Sequence, residues 1–378
     1  MLFTRTKANL ATLFLMGLVI ASCKKEEPLL PPTEDIVFSG DMIITDTIST
    51  EVGEKVIIKP GTNLTFGPEG LLIVNGELIA IGKPDSLISF FGDINAPDQL
   101  ILKTGWDATN IHLKHVVITD GLVRSLADDN LLQHVKFVNT KQLKWDSALI
   151  RLWFGNMTIE DCEAYGNNRG EGILAHNMIE AVVQRCRFEK VPDAVEFIDI
   201  NNGLITDNIF IDNADDAIDQ NSCVGTTISN NEFYGTHDRA LELGSENYGS
   251  SRNLVIHNNL FVDCNTAISL KESSDATITN ATFYSNTRSI DVQTPSDSLR
   301  LSQVTLNRSI FIQESTPIRT DHRSTVSLSN CLSDLVLFEG ENNVTGSVTF
   351  DIDANRQISV SSDAYPAGQT ASTIGYQQ

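Results

Sequence analysis

Helical periodicity is missing from this chain: beyond the first 22 residues no segment keeps apolar residues at a 3.6-residue period. A fold built on helices is therefore excluded. Cations are scarce as well, with 27 Lys and Arg against 49 Asp and Glu in 378 residues, a net charge of −22. So negative a surface argues against nucleic acid and acidic lipid as partners. It equally disfavours polyanionic glycans, unless cations cluster locally or a divalent ion bridges, and it leaves neutral glycans and proteins open. Metal-ligand spacing is also lacking. Cys223, Cys264 and Cys331 lie far apart and the histidines are scattered, so no zinc site is indicated. The longest apolar stretch, Leu10 to Ile20, is too short to span a bilayer.

What the chain has is repetition. ITDNIFIDNADDAID from Ile205, ISNNEFYGTHDRALEL from Ile228, IHNNLFVDCNTAISL from Ile256 and ITNATFYSN from Ile278 are near-copies of one unit. Their anchoring aromatics Phe210, Phe233, Phe261 and Phe283 continue backwards to Phe188 and forwards to Phe311, at steps of 22, 23, 28, 22 and 28 residues. No such unit buries its apolar side alone, so the copies must stack. Each holds short Ile- and Val-rich runs of strand length, parted by Asn, Asp and Thr. A coil of about 23 residues then makes about three strands and three turns, and adjacent coils stack at the ordinary strand spacing of about 4.8 Å.

In these units the sequence resembles right-handed parallel β-helix proteins of the pectin-lyase-like superfamily. The segment from Lys55, with turns at Pro60-Gly61 and Asn75-Gly76, looks like the first coils of such proteins, and SDAYPAG from Ser362 is similar to their last turn. The expected fold is all-β, a single-stranded right-handed parallel β-helix of roughly ten or more coils over residues 36–370, followed by a C-terminal tail, 371–378. A solenoid grows without one enclosing core, so a single long domain suits this length.

Arg5 and Lys7 before the Leu10–Ile20 run make residues 1–22 a secretory signal. Ile20-Ala21-Ser22-Cys23 matches a bacterial lipobox, which implies lipidation at Cys23. The following Lys24-Lys25-Glu26-Glu27 resembles surface-export signals of Bacteroidota lipoproteins. Residues 23–35, polar and carrying Pro28, Pro31 and Pro32, are expected as a lipidated N-terminus and flexible tether. Loss of residues 1–22 removes Arg5 and Lys7 and no acid, leaving 25 cations against 49 anions, or −24. The protein is placed at the outer membrane or cell surface, touching membrane only through its lipid. Nothing in the sequence sets its oligomeric state.

Cys162 and Cys186 stand two residues before the aromatic position, where later units carry Asn208, Asn231 and Asn259. Stacked in adjacent coils, the two cysteines are either a disulfide or a pair of small buried thiols filling a column. The three asparagines form a structural column whose amides hydrogen-bond along the stack. The phenylalanines form an internal aromatic stack.

Period-2 alternation through Val195-Glu196-Phe197, Ile218-Asp219-Gln220, Leu241-Glu242-Leu243, Ile268-Ser269-Leu270 and Ile290-Asp291-Val292 turns Glu196, Asp219, Glu242, Ser269 and Asp291 outward in one column. Consecutive carboxylates at strand spacing repel, and Asp193, Asp215, Asp216 and Asp238 add to the charge. Compensation comes either from ion pairs with Arg239, Arg288 and Lys271 or from Ca²⁺ held by Asp215, Asp216, Asp219 and Glu242. No other cofactor is indicated.

The segment from Asn258 to Phe283 resembles alginate and chondroitin lyases, which implies Lys271 as base; a lyase or glycosidase on this face would act at Asp216, Asp219, Glu242 and Lys271. Asn265-Thr266 replaces the acidic pair of those enzymes, and Ser289 to Val292 lacks their Arg. Asp215-Asp216 and His237-Asp238 echo polygalacturonases without the Gly residues around the His or the Arg-x-Lys pair. The run from Asp215 to Asp219, with Ala267 to Lys271, is also similar to non-enzymatic β-helix regions of surface and coat-like proteins. The sequence thus points to a non-catalytic scaffold that binds a glycan or envelope component. A polysaccharide lyase or glycosidase and a structural or adhesive spacer are the alternatives.

Overall fold

The computed structural model describes residues 35–378 except 97, 142, 145, 146, 315 and 354–356. The signal, Cys23 and nearly all of the tether lie outside these residues. Each complete coil contributes one strand to each of three parallel sheets, as in Leu204–Thr206, Ile209–Ile211 and Ile218–Asn221. Among the described residues the sheets hold thirteen, fourteen and twelve strands, which is about 13 turns, in line with the coil number expected. No helix occurs among the described residues. Neighbouring strands pair in parallel register, consistent with a right-handed parallel β-helix.

Short strands stay distinct because, in the central coils, the turn from the first to the second sheet contains one residue at positive φ. Asp207, Asn230, Asn258 and Asn280 take φ of 58°, 56°, 53° and 55° there. Asn and Asp enter this left-handed region at low cost, so the asparagine-rich phrase is a turn requirement rather than a ligand signal.

The interior is one continuous apolar core along the coils. Phe188, Phe210, Phe233, Phe261, Phe283 and Phe311 are in register and stack with centroids 4.8 to 5.2 Å apart. Earlier coils place Phe90, Ile118, Phe137 and Ala164 in the same column. The asparagine column forms as well. Asn208 donates its amide to Asn231 Oδ1 at 3.0 Å, and Asn231 donates to Asn259 Oδ1 at 3.1 Å. Cys186 and Cys162 continue this column as buried free thiols, with the Cys162 backbone N–H 3.4 Å from Cys186 Sγ. Of the two arrangements open from sequence, the structure holds the stacked thiols and no disulfide.

Parallel coils end at Val344–Thr345, short of residue 370. Strands Val348–Ile352 and Ile358–Ser362 instead pair antiparallel. The second sheet is apolar outside in these coils, with Tyr234, Val262 and Tyr284 needing cover, and Phe350 stacks on Tyr284 at 4.4 Å. Residues 371–378, expected as a tail, are packed: Tyr376 is buried and its hydroxyl donates to Glu232 at 3.0 Å. Burial of the aromatic ring against the sheet outweighs the entropy of a loose end.

Candidate functional site

The third sheet carries the charge. Register pairs Glu196 with Asp219, Asp219 with Glu242, Glu242 with Ser269, Ser269 with Asp291 and Asp291 with Arg319. The outward column inferred from alternation is therefore present. Its apolar neighbours Ile218, Leu241, Ile268 and Ile290 face inward and are fully buried. Gln220 also points inward, between Phe197 and Leu243, and is itself fully buried.

Ion pairs gather around Glu242. Arg239 bridges Asp216 at 3.2 Å, Asp238 at 2.9 Å and Glu242, and Lys271 closes on the other Glu242 oxygen. The Arg239 backbone N–H adds a bond to Asp216 at 3.0 Å. Two coils beyond Glu242, Asp291 takes Arg319 through Nε at 2.8 Å and Arg288 at 3.7 Å. Burial opposes ionisation of Glu242, but its contacts with Asp216 and Lys271 and the Arg239 charge hold it below the usual carboxylate range. Asp216 is pushed up by burial and then by the neighbouring Glu242 carboxyl. Asp219 rises through burial and the charges of Glu196 and Glu242. Its Oδ2 accepts from Asn221 at 2.7 Å, whereas Oδ1 is buried and has no hydrogen-bond partner among the described residues.

Asp216, Asp219, Glu242 and Lys271, the four catalytic candidates, thus share one face. Asp215 and Asp216 group with Asp193 in the preceding turns, their oxygens within 4.8 Å of one another, while Glu242 is taken up by Arg239 and Lys271. Burial, then the charges of Asp215 and Glu196, push Asp193 up to about 8. An acid whose folded pKa exceeds its unfolded value of about 3.9 stabilises fully below that value, and its contribution is lost as pH rises towards 8. The melting temperature is expected to fall between about pH 4 and pH 8 partly through this group. Asp193→Asn should flatten the fall and gain most at the alkaline end. Parallel pH profiles of the two proteins would refute the assignment.

Beside this cluster a groove of about 890 Å³ runs over the strands Arg239–Leu243, Thr266–Leu270, Arg288–Val292 and Ile318–Thr320. Ser269 lies on its floor, and Glu246 and the 294–297 segment stand at its edges. Its four cations Arg239, Lys271, Arg288 and Arg319 are each within 4.0 Å of a carboxylate. Sequence reasoning had named the first three as ion-pair partners. Arg319 is absent from that set, although alternation through Ile318-Arg319-Thr320 in the coil of Phe311 turns it outward in register with Asp291.

Residues 155–330 match the family model described as "Periplasmic copper-binding protein (NosD)". No curated protein matches the chain. Solved structures of similar fold include the PL6 family alginate lyase AlyGC, at 14% identity and TM-score 0.49 over 93% of this chain and 55% of that one. The periplasmic alginate epimerase AlgG is similar at 9% identity and TM-score 0.38, over 78% and 76%. The chain spans about 55% of the lyase's length. At such identities and scores the likeness carries no argument about activity. The coils, their register and the family match agree: this chain is a repeat protein of the parallel β-helix class, similar over residues 155–330 to the NosD family.

Proposed function

We propose that this protein is a non-catalytic β-helix scaffold outside the cytoplasm, anchored through Cys23, whose third-sheet face binds a glycan. The observation that carries this reading is the state of the groove. Every cation lining it is bound by a carboxylate. Paired in this way, the charges present fixed donors and acceptors suited to sugar hydroxyls. They also leave Lys271 engaged with Glu242, so it is not the free base that proton abstraction beside a uronate carboxylate requires. The periplasmic description of the NosD family is compatible with an extracytoplasmic location. Copper suits the donor set less well. The metal-ligating group found among the described residues, Asp193, Asp215 and Asp216, is all carboxylate, and hard oxygens favour Ca²⁺.

The test is a glycan array probed with the full chain, with and without Ca²⁺, alongside an assay for unsaturated products from uronate polymers. Binding without product formation is expected. Products that appear with the native chain and vanish in Lys271→Ala would overturn the non-catalytic reading, and failure to retain any glycan would overturn the binding one. Membrane retention of Cys23→Ala would remove the anchor.

A further inference from the structure

The outward column of the third sheet does not stop at Glu196. Register carries it on to Leu174, then Arg151, Arg124 and Lys103. One face therefore changes sign along its length, with three consecutive cations in the early coils and three consecutive carboxylates in the middle ones. Between them lies Leu174, packed with Ala148 and Ile198 in a small apolar cluster. In a chain of net charge −22 these cations form the kind of local cluster that polyanion binding needs.

Like charges at strand spacing repel, and most of this run lacks an internal counter-charge. Arg151 has Glu171 at 3.5 Å, but among the described residues neither Lys103 nor the exposed Arg124 is in an ion pair. A depression of about 200 Å³ opens beside them, lined by Arg124, Arg151 and Lys144. Its acid, Asp98, is paired with Lys144 at 3.7 Å.

Aromatic rings flank the cations. Trp153 lies two residues beyond Arg151, and the guanidinium carbons of Arg124 and Arg151 sit 5.5 and 5.7 Å from its ring centroid. Both guanidinium groups are thus within cation–π range of the one indole. Trp106, just past the strand Leu100–Thr104, is 71% exposed and rests against Phe154, itself 43% exposed, with centroids 5.7 Å apart. The exposed rings, inclined at 35° to one another, offer an apolar surface for a sugar ring, and the planar guanidinium groups offer paired donors for a carboxylate.

We infer that the early coils hold a subsite for a carboxylated glycan, with uronate carboxylates on the Lys103–Arg124–Arg151 ladder and a sugar ring on Trp106 and Phe154. The inference rests on the glycan-binding reading and deepens it by naming the sugar class. The segment bound is short, because a polyanion continuing along the column would meet Glu196, Asp219 and Glu242. A long nucleic acid is disfavoured for the same reason.

The experiment titrates the full chain with a galacturonate pentasaccharide, the neutral maltopentaose and a sulfated oligosaccharide by calorimetry. The uronate is expected to bind best, at least tenfold more weakly in Arg124→Ala and with a marked loss at high salt. Trp106→Ala should also weaken it, and Lys136→Ala, which removes an exposed cation of the second sheet, should not. Circular dichroism checks that each variant is folded. Equal uronate affinity in the native chain and Arg124→Ala would overturn the ladder subsite while leaving glycan binding intact. Preference for the sulfated sugar would overturn the carboxylate assignment. Retention of no sugar by any protein would overturn the glycan reading itself.

Discussion

Phe233→Ala is expected to cost about 3 to 5 kcal/mol, measured as a lowered urea midpoint at unchanged slope. The ring is fully buried and lies between Phe210 and Phe261 at 4.9 Å on each side, within 5° of parallel to both. Removing it takes away the transfer free energy of a large apolar side chain and leaves a void. The void persists because the coils above and below are held at strand spacing by their own hydrogen bonds, so the neighbouring rings cannot close on one another. Phe233→Leu keeps most of the volume and should cost much less. A loss below about 1 kcal/mol in Phe233→Ala would be incompatible with a clamped ring.

Asn231→Ala should be nearly as damaging, at about 2 to 5 kcal/mol, although it removes little apolar surface. Asn231 Oδ1 accepts from the backbone N–H of Asn208 at 3.0 Å and from the Asn208 amide at 3.0 Å. Its own amide donates to the Ile205 carbonyl at 2.9 Å and to Asn259 Oδ1 at 3.1 Å. Alanine would orphan two buried donors in a turn that water does not reach, and each costs about 1 to 3 kcal/mol. Asn231→Asp keeps the shape and should be worse. Its second oxygen would face the Ile205 carbonyl and Asn259 Oδ1 with no proton to offer, and a carboxylate would be stranded in the interior. Thermal melts of both variants check the order; an Asp variant as stable as the native chain would contradict the directional column.

Both columns were legible in the sequence for the same reason. The Asn-x-Phe phrase fixes the phase of each coil, and alternation then assigns inside and outside. The outward set of Glu196, Asp219, Glu242, Ser269 and Asp291 followed from it and is present. Alternation gives a direction, however, and not a partner. It put Arg239 and Lys271 near the acids without showing that both converge on Glu242, or that Asp193 joins Asp215 and Asp216. The ends of the chain were less legible. Val348–Ile352 and Ile358–Ser362 alternate as coil strands would, yet they pair antiparallel, because the outer face of the second sheet is apolar in the coils they cover.

By itself the sequence determined the repeat, the coil length and the contents of the stacks, since a unit that cannot bury its apolar side alone must place like residues over like. Only the tertiary structure decided which charges share a face across coils of unequal length. Lys103, Arg124 and Arg151 are 21 and 27 residues apart and carry no common phrase, yet strand pairing puts them in one column. Turns absorb the extra residues while backbone hydrogen bonds hold the strands in step. A ladder of charge on this fold is therefore a property of register, which spacing along the chain does not contain.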